Sequence, residues 1–293
     1  MKTWRWILAV LVLFLACSLP VYGEQDGGEG MTIEDFLASL TFQHGNITLE
    51  NNLVTLNLPE DFSYLSPEDT ERVLVDAWGN PPGNKTLGMV VPQEAGLFTQ
   101  NGWAAIISYE EEGYVSDEEA EDIDYEEMKK EIQESSAESN KQRAEAGYGP
   151  IEFVGWAATP YYEKESHKLY WAKELKFGDS EVNTLNYNIR VLGRKGVLLI
   201  NIVSVMDQLQ DIDAQIPTLL AMTEFNSGNK YADFDPKIDK VAAYGIGALV
   251  AGTVASKVGL LAKLGAFLLA FKKFLIVIPL AIGGFVKKIF SNK

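Results

Sequence analysis

Sulfur and imidazole are scarce in this chain. Among 293 residues there is one cysteine, Cys17, and there are two histidines, His44 and His167. A lone thiol excludes an internal disulfide framework and any cage of several cysteines around a metal. A histidine-based metal site would have to join two residues 123 positions apart and complete its shell with carboxylates. Nucleotide and nucleophile signatures are missing too: there is no Walker loop, no Gly-x-Ser-x-Gly elbow and no His-Glu-x-x-His helix. Nothing in the residue inventory calls for a metal or a cofactor.

Acidic residues are missing from both ends. None occurs in residues 1–23 or 241–293, which carry Lys2 and Arg5 at one end and seven lysines at the other. The middle therefore holds all 41 acids against the remaining 16 of 25 basic residues, although the whole chain sums to only −16. Basic ends that are also apolar match anionic lipid. An acidic middle repels the phosphates of nucleic acid.

The opening MKTWRWILAVLVLFLACSLPVYGEQ has the layout of a secretory leader. Lys2 and Arg5 form its basic start, Ile7 to Ala16 its apolar run, and Val21-Tyr22-Gly23 a small-residue stretch near a cleavage point. Cys17 lies inside this leader, after Leu15-Ala16, but apolar Leu19-Pro20-Val21 stands where a lipidated chain usually has a polar tether. Removing residues 1–23 leaves a chain without cysteine.

At the other end, Asp235-Pro236 has the form of an N-cap followed by proline at the first helical position. A helix from there runs into Val241 to Ser256, 16 residues or about 24 Å at about 1.5 Å per residue. Lys240 and Lys257 reach toward the two surfaces and make up the shortfall against a core of about 30 Å. Within it, Ala248, Gly252 and Ser256 recur at four-residue spacing, a stripe that lets a second helix approach closely. From Leu264 to Val286 the apolar run is broken by Lys272 and Lys273. On a helix, Phe267, Phe271, Phe274, Ile278, Ile282, Phe285 and Ile289 share one arc, and the lysines lie opposite. That pattern fits a basic amphipathic helix in the lipid interface, kinked at Pro279, and leaves a two-span hairpin as the alternative. The lysine-rich side should face the cytoplasm, which puts residues 24–240 on the far side.

The domain between these ends reads as α+β, an antiparallel sheet packed with helices. Residues 24–30 are a polar linker. Thr32 caps a helix through Leu40, and Ser66 with Pro67 starts another that Gly79 stops. A third helix covers Tyr125 to Ala144 and a last one Asp207 to Phe225. Residues 46–57 form a hairpin around Glu50-Asn51-Asn52. Strands fall at 87–91, 103–109, 151–158, 168–177, 183–192 and 196–205, the last two joined by a tight turn at Gly193-Arg194-Lys195-Gly196. From Glu110 to Glu127, 11 of 18 residues are acidic, without the glycine and ligand order of an EF loop. Arg190, Arg194 and Lys195 make a basic spot in the acidic domain and are the candidate contacts for an anionic ligand or partner.

Six blocks in order carry a family resemblance: AWGNPP (77–82), LGMVVP (87–92), EEGYVSDEEAEDIDYEEM (111–128), GWAATPYYEKESHKLYWAKEL (155–175), TLNYNIRVLGRKGVLLIN (184–201) and YADFDPKIDKVAAYGIGALVAG (231–252). The chain resembles the bacterial membrane-anchored family catalogued as domain of unknown function 2167. The resemblance implies an envelope protein with an exported domain and a C-terminal membrane region, and it transfers no catalytic residue.

These readings divide the chain into a leader (1–23), an acidic periplasmic α+β domain (24–240), and a membrane anchor with a basic tail (241–293) in the bacterial inner membrane. The expected role is a binding or scaffold module. Its expected partners are membrane lipid and an envelope protein or a second copy met through the transmembrane helix; nucleic acid is not among them. Two alternatives remain at this point. One is a carboxylate-dependent envelope enzyme using Asp124, or Asp233 with Asp235. The other is an accessory subunit of a membrane transporter.

Overall fold

Seven antiparallel strands carry the molecule, and in the central ones alternation decides which face each residue occupies. The computed structural model describes residues 31–251, apart from 81, 84, 93–96, 100, 101 and 146–148, and the side chain of Gln142. The leader with Cys17, the tail from Gly252 onward with Ser256, and the amphipathic basic segment lie outside the described residues.

In chain order the elements are α1 (Ile33–Ala38), β1 (Asn46–Leu49), β2 (Val54–Asn57), β3 (Phe62–Leu65), α2 (Pro67–Arg72), β4 (Gly88–Pro92), β5 (Ala104–Glu110), α3 (Tyr125–Glu145), β6 (Ile151–Glu163), β7 (Lys168–Phe177), β8 (Thr184–Leu192), β9 (Val197–Val205), α4 (Leu209–Met222), β10 (Thr223–Phe225) and α5 (Ile246–Ala251). The large sheet has the order β3-β4-β5-β9-β8-β7-β6, and a smaller one the order β1-β2-β10. The expected α+β class with an antiparallel sheet and packed helices is what forms.

Local chemistry places the helices. Thr32 accepts the Asp35 amide and Ser66 the Asp69 amide, while Pro67 occupies the first turn of α2. Asp124 accepts the amides of Glu126 and Glu127, each at 2.9 Å, and so opens α3. After Arg72, α2 widens into a π-helical turn over Val73–Ala77. Asn80 closes that turn by donating its side-chain amide to the Leu74 carbonyl.

One face of the sheet is apolar through its middle. Tyr187, Ile189, Ile200 and Ile202 meet Ile212, Ile216 and Leu219 of α4, together with Leu49, Val54 and Leu56 of the hairpin. The opposite face is apolar only at its two ends. At one end α1 and α2 cover β3–β5 through Phe36, Leu74 and Trp78. At the other, residues 114–128 and 231–251 cover Leu169, Trp171, Leu192 and Val197.

One edge of the large sheet, at β6, is handled by α3. Strand β6 is long, irregular and paired only with β7. On its open side Asn140 both donates to the Ile151 carbonyl (2.9 Å) and accepts the Ile151 amide (2.8 Å), and Gln133 donates to the Val154 carbonyl (2.8 Å). Side-chain amides thus replace a neighbouring strand and block edge-to-edge pairing.

The segment after β10 departs from expectation. A helix starting at Pro236 does not form. Asp235 instead closes one turn by accepting the Lys237 amide, and the Asp239 carboxylate accepts the Asp235 amide (2.7 Å). The chain is then captured by the loop at 113–114: Tyr114 donates to the Lys240 carbonyl and accepts the Ala242 amide, both at 2.8 Å. A Cβ on Gly113 would lie 2.8 Å from that Lys240 carbonyl, and Gly113 has a φ of +115°, so glycine is required there. Helix begins only at Ile246. Ile246 and Val250 are fully buried in the domain and Tyr244 nearly so. This part of the expected span therefore packs on protein. Among the described residues, no helix is long and apolar enough to cross a membrane.

Candidate functional site

Between the two apolar ends of the second sheet face lies a polar strip. Strand β8 reads Asn186, Asn188, Arg190 on this face and Leu185, Tyr187, Ile189 on the other. Pairing sets Lys173 beside Asn186, Trp171 beside Asn188, and Asn201 beside Asn188 from the other side. A strict two-residue period therefore gathers Lys173, Arg190 and three asparagines over the middle strands.

Arg190 is 7% exposed, although guanidinium groups are rarely buried without a charge partner. Its donors go to neutral oxygens: Ile189 O at 2.9 Å, Asn201 Oδ1 at 3.0 Å and Asn188 Oδ1 at 3.3 Å. Asn188 is itself held by donating to the backbone and side-chain oxygens of Asn186, both at 2.9 Å. The guanidinium lies 5.0 Å from the centroid of the Trp171 ring. The Lys173 ammonium lies 5.9 Å from the same ring and 6.0 Å from that of Trp156. Its acceptor is the Val250 carbonyl in α5, at 3.3 Å.

Among the described residues, no carboxylate lies within 4 Å of either cation. Burial, together with the charge of Arg190, lowers the Lys173 pKa to about 7. Burial lowers that of Arg190 to about 10, partly offset by the charge of Glu110. Glu110 is in turn held above the ordinary carboxylate range by burial, against the pull of Arg190. Three further donors in the surrounding apolar cluster, Trp171 Nε1, Tyr125 OH and Tyr244 OH, are buried with no hydrogen-bond partner. The site offers donors and positive charge, and few acceptors.

A second cluster locks the C-terminal segment down. Asp117 accepts from Tyr162 OH at 2.7 Å and from Tyr231 OH at 3.0 Å, and Tyr231 also reaches the Val115 carbonyl at 3.0 Å. His167 Nδ1 is 3.2 Å from Tyr162 OH, and its ring packs 4.1 Å from that of Tyr231. Tyr114 stacks between Tyr231 (4.4 Å) and Phe234 (3.9 Å). Burial works against the Asp117 charge, but the two phenols and its own amide outweigh it and hold this carboxyl below its usual value. His167 sits in a left-handed turn with a φ of +54°.

The residues singled out from the sequence fall in different places. Arg190 is inside the polar strip. Arg194 is in the β8–β9 turn, where Nε donates to Asp239 at 2.7 Å and Nη1 to the Gly228 carbonyl at 3.2 Å. Lys195 is exposed at the tip of that turn. Arg194 thus holds the C-terminal segment, and the three do not share one surface. Ala248 packs half-buried against the domain's own apolar cluster. Asp124 caps α3, Asp233 accepts the amides of Gly228 and Lys230, and Asp235 accepts that of Lys237. These three carboxylates serve backbone turns and do not form a pair. Lys173 escaped sequence reasoning, and the signal for it was the Asn-x-Asn-x-Arg alternation of the neighbouring strand.

An α+β domain with a seven-stranded antiparallel sheet, and a C-terminal segment laced across one face, is the class defined here. The chain belongs to the family described as Protein of unknown function (DUF2167), whose model matches residues 41–283. A comparison with curated proteins finds no match. Similar solved structures include the solution structure of cyanobacterial PsbP (CyanoP) from Synechocystis sp. PCC 6803, with 11% identity over 64% of this chain and 94% of that one, at a TM-score of 0.32. Another is the crystal structure of LpqN, involved in cell envelope biogenesis of Mycobacterium tuberculosis, with 12% identity over 68% and 99% of the chains and a TM-score of 0.30. At those scores neither likeness carries an argument about this protein.

Proposed function

We propose that the protein is a membrane-anchored bacterial envelope protein whose extracytoplasmic domain is a binding and scaffold module. The observation that carries this reading is the lacing of residues 226–251 into the domain just before the acid-free, lysine-containing apolar tail. Asn226 is held by Asn52 and Thr55, Tyr231 by Asp117, Asp239 by Arg194, and Ala242 by Tyr114. A chain laced in this way leaves the domain from a fixed point at Ala251. A flexible linker would leave it to swing. The leader-like N-terminus and the lysine-rich C-terminus support the same sidedness from different residues. Because Asp124, Asp233 and Asp235 are occupied by backbone caps, the carboxylate-enzyme alternative has no assembled acid–base pair among them.

The test uses the near absence of cysteine. Val182 is 48% exposed on the domain, and Lys288 lies in the basic tail. Single substitutions Val182→Cys and Lys288→Cys are probed in cells with a permeabilised outer membrane, using a membrane-impermeant maleimide. Val182→Cys is expected to label before lysis and Lys288→Cys only after it. Labelling of Lys288→Cys alone, or recovery of the chain as a freely soluble protein without detergent, contradicts the reading.

A further inference from the structure

We propose that the Lys173–Arg190 cluster is a binding site for a phosphate-bearing anion. Two cations sit over one indole with no carboxylate within 4 Å among the described residues, inside a protein of net charge −16. Trp171 Nε1, Tyr125 OH and Tyr244 OH in the same packed region are buried and unpartnered. All are donors, and a phosphate group presents the oxygen acceptors and negative charge that such a set lacks. The carboxylate facing the cluster is Glu110, which burial biases toward its neutral form. The continuing chain brings no counter-charge on its side chains, because residues 241–293 contain neither Asp nor Glu. The cluster is not sealed: Lys173, Asn186 and Asn201 are only half-buried along the strip.

Two sources supply this chemistry, a free phosphate and the headgroup of an anionic phospholipid. The inference deepens the binding-module reading and rests on it for the biological origin of the ligand. Binding in detergent does not depend on sidedness, so the maleimide experiment and the one below fail independently.

The full chain in a non-ionic detergent is titrated at constant ionic strength, once with inorganic phosphate and once with mixed micelles containing dioleoylphosphatidylglycerol. Tryptophan fluorescence and melting temperature are followed. A saturable response to phosphate assigns the free anion, and one to the lipid micelles alone assigns the headgroup. Lys173→Gln should weaken the response at least about tenfold, Lys173→Arg should retain it, and Lys195→Gln should leave it within about twofold. Should Lys173→Gln fail to melt cooperatively, reductive methylation of the unsubstituted chain replaces it: the anion should slow modification of Lys173 and leave Lys195 unaffected. Absence of saturation with both probes overturns the proposal. So does equal weakening by Lys173→Gln and Lys195→Gln, or equal methylation of Lys173 with and without anion.

Discussion

At the scale of single residues, the informative ones are those whose chemistry disagrees with their surroundings. Lys173 is the clearest. Its pKa falls from an ordinary 10.5 to about 7 in the folded chain. Between those values the unfolded chain holds a proton that the folded chain has released, so stability rises with pH across that window. Below about 7 both states are protonated and the cost of burying the charge is fully present. Urea midpoints in phosphate-free buffer should therefore climb from pH 7 to 10 in the unsubstituted protein and climb less in Lys173→Met; equal slopes would contradict the burial. Gly196 disagrees in shape. A Cβ there would lie 2.1 Å from the Glu110 carbonyl, a backbone atom that cannot swing away. Gly196→Ala should cost about 1–3 kcal/mol in chemical denaturation, by forced displacement of β5 from the β8–β9 turn.

At the scale of elements, what was legible in the sequence was what local chemistry controls. Thr32, Ser66 and Pro67 announced their helices. Glu50-Asn51-Asn52 announced a turn, and all three adopt positive φ (29°, 48° and 64°). Strands 168–177 and 183–192 were visible because they are long and flanked by turn formers. Strand β3 was missed because Phe62–Leu65 is four residues long and buried on both faces, so it shows no alternation. Strand β6 runs past the expected end at Ala158, through Pro160. An edge strand with bulges has no inner ladder bond for a proline to break, and β6 continues to Glu163. The C-terminal segment was misjudged as the start of a membrane helix for a different reason. Its partners, Asp117, Tyr114 and Arg194, lie 45–128 residues away in the chain, and a sequence window cannot see them. Arg190 was noticed as a charge, but its place inside the strip depends on strand pairing that only the fold supplies. Tyr231→Phe removes the one phenol proton shared between the Asp117 carboxylate and the Val115 carbonyl and should cost about 1–3 kcal/mol. It should also speed tryptic cleavage at Lys237 and Lys240 while leaving the β8–β9 hairpin resistant. Unchanged cleavage at those lysines would show that the aromatic lock does not hold the segment.

At the scale of the whole molecule, the C-terminal segment through α5 forms the last layer of the domain. Ile246 and Val250 leave no surface exposed, and burying each fully is worth about 1.5–3 kcal/mol. The Lys173 contact falls on Val250, one residue before α5 ends at Ala251. The geometry joins two things in one place: the cation cluster of the polar strip and the C-terminal helix α5. An occupant of the cluster would therefore sit beside α5, the last described element of the chain.

The most direct measurement is amide hydrogen exchange on the full chain in lipid nanodiscs, read across residues 231–251 against strand β8. The account predicts slow exchange at Ala242 and through Ile246–Ala251, within about tenfold of the sheet, and its selective loss in Tyr231→Phe. Exchange of that segment at the rate of an unstructured linker, while β8 remains protected, would contradict it.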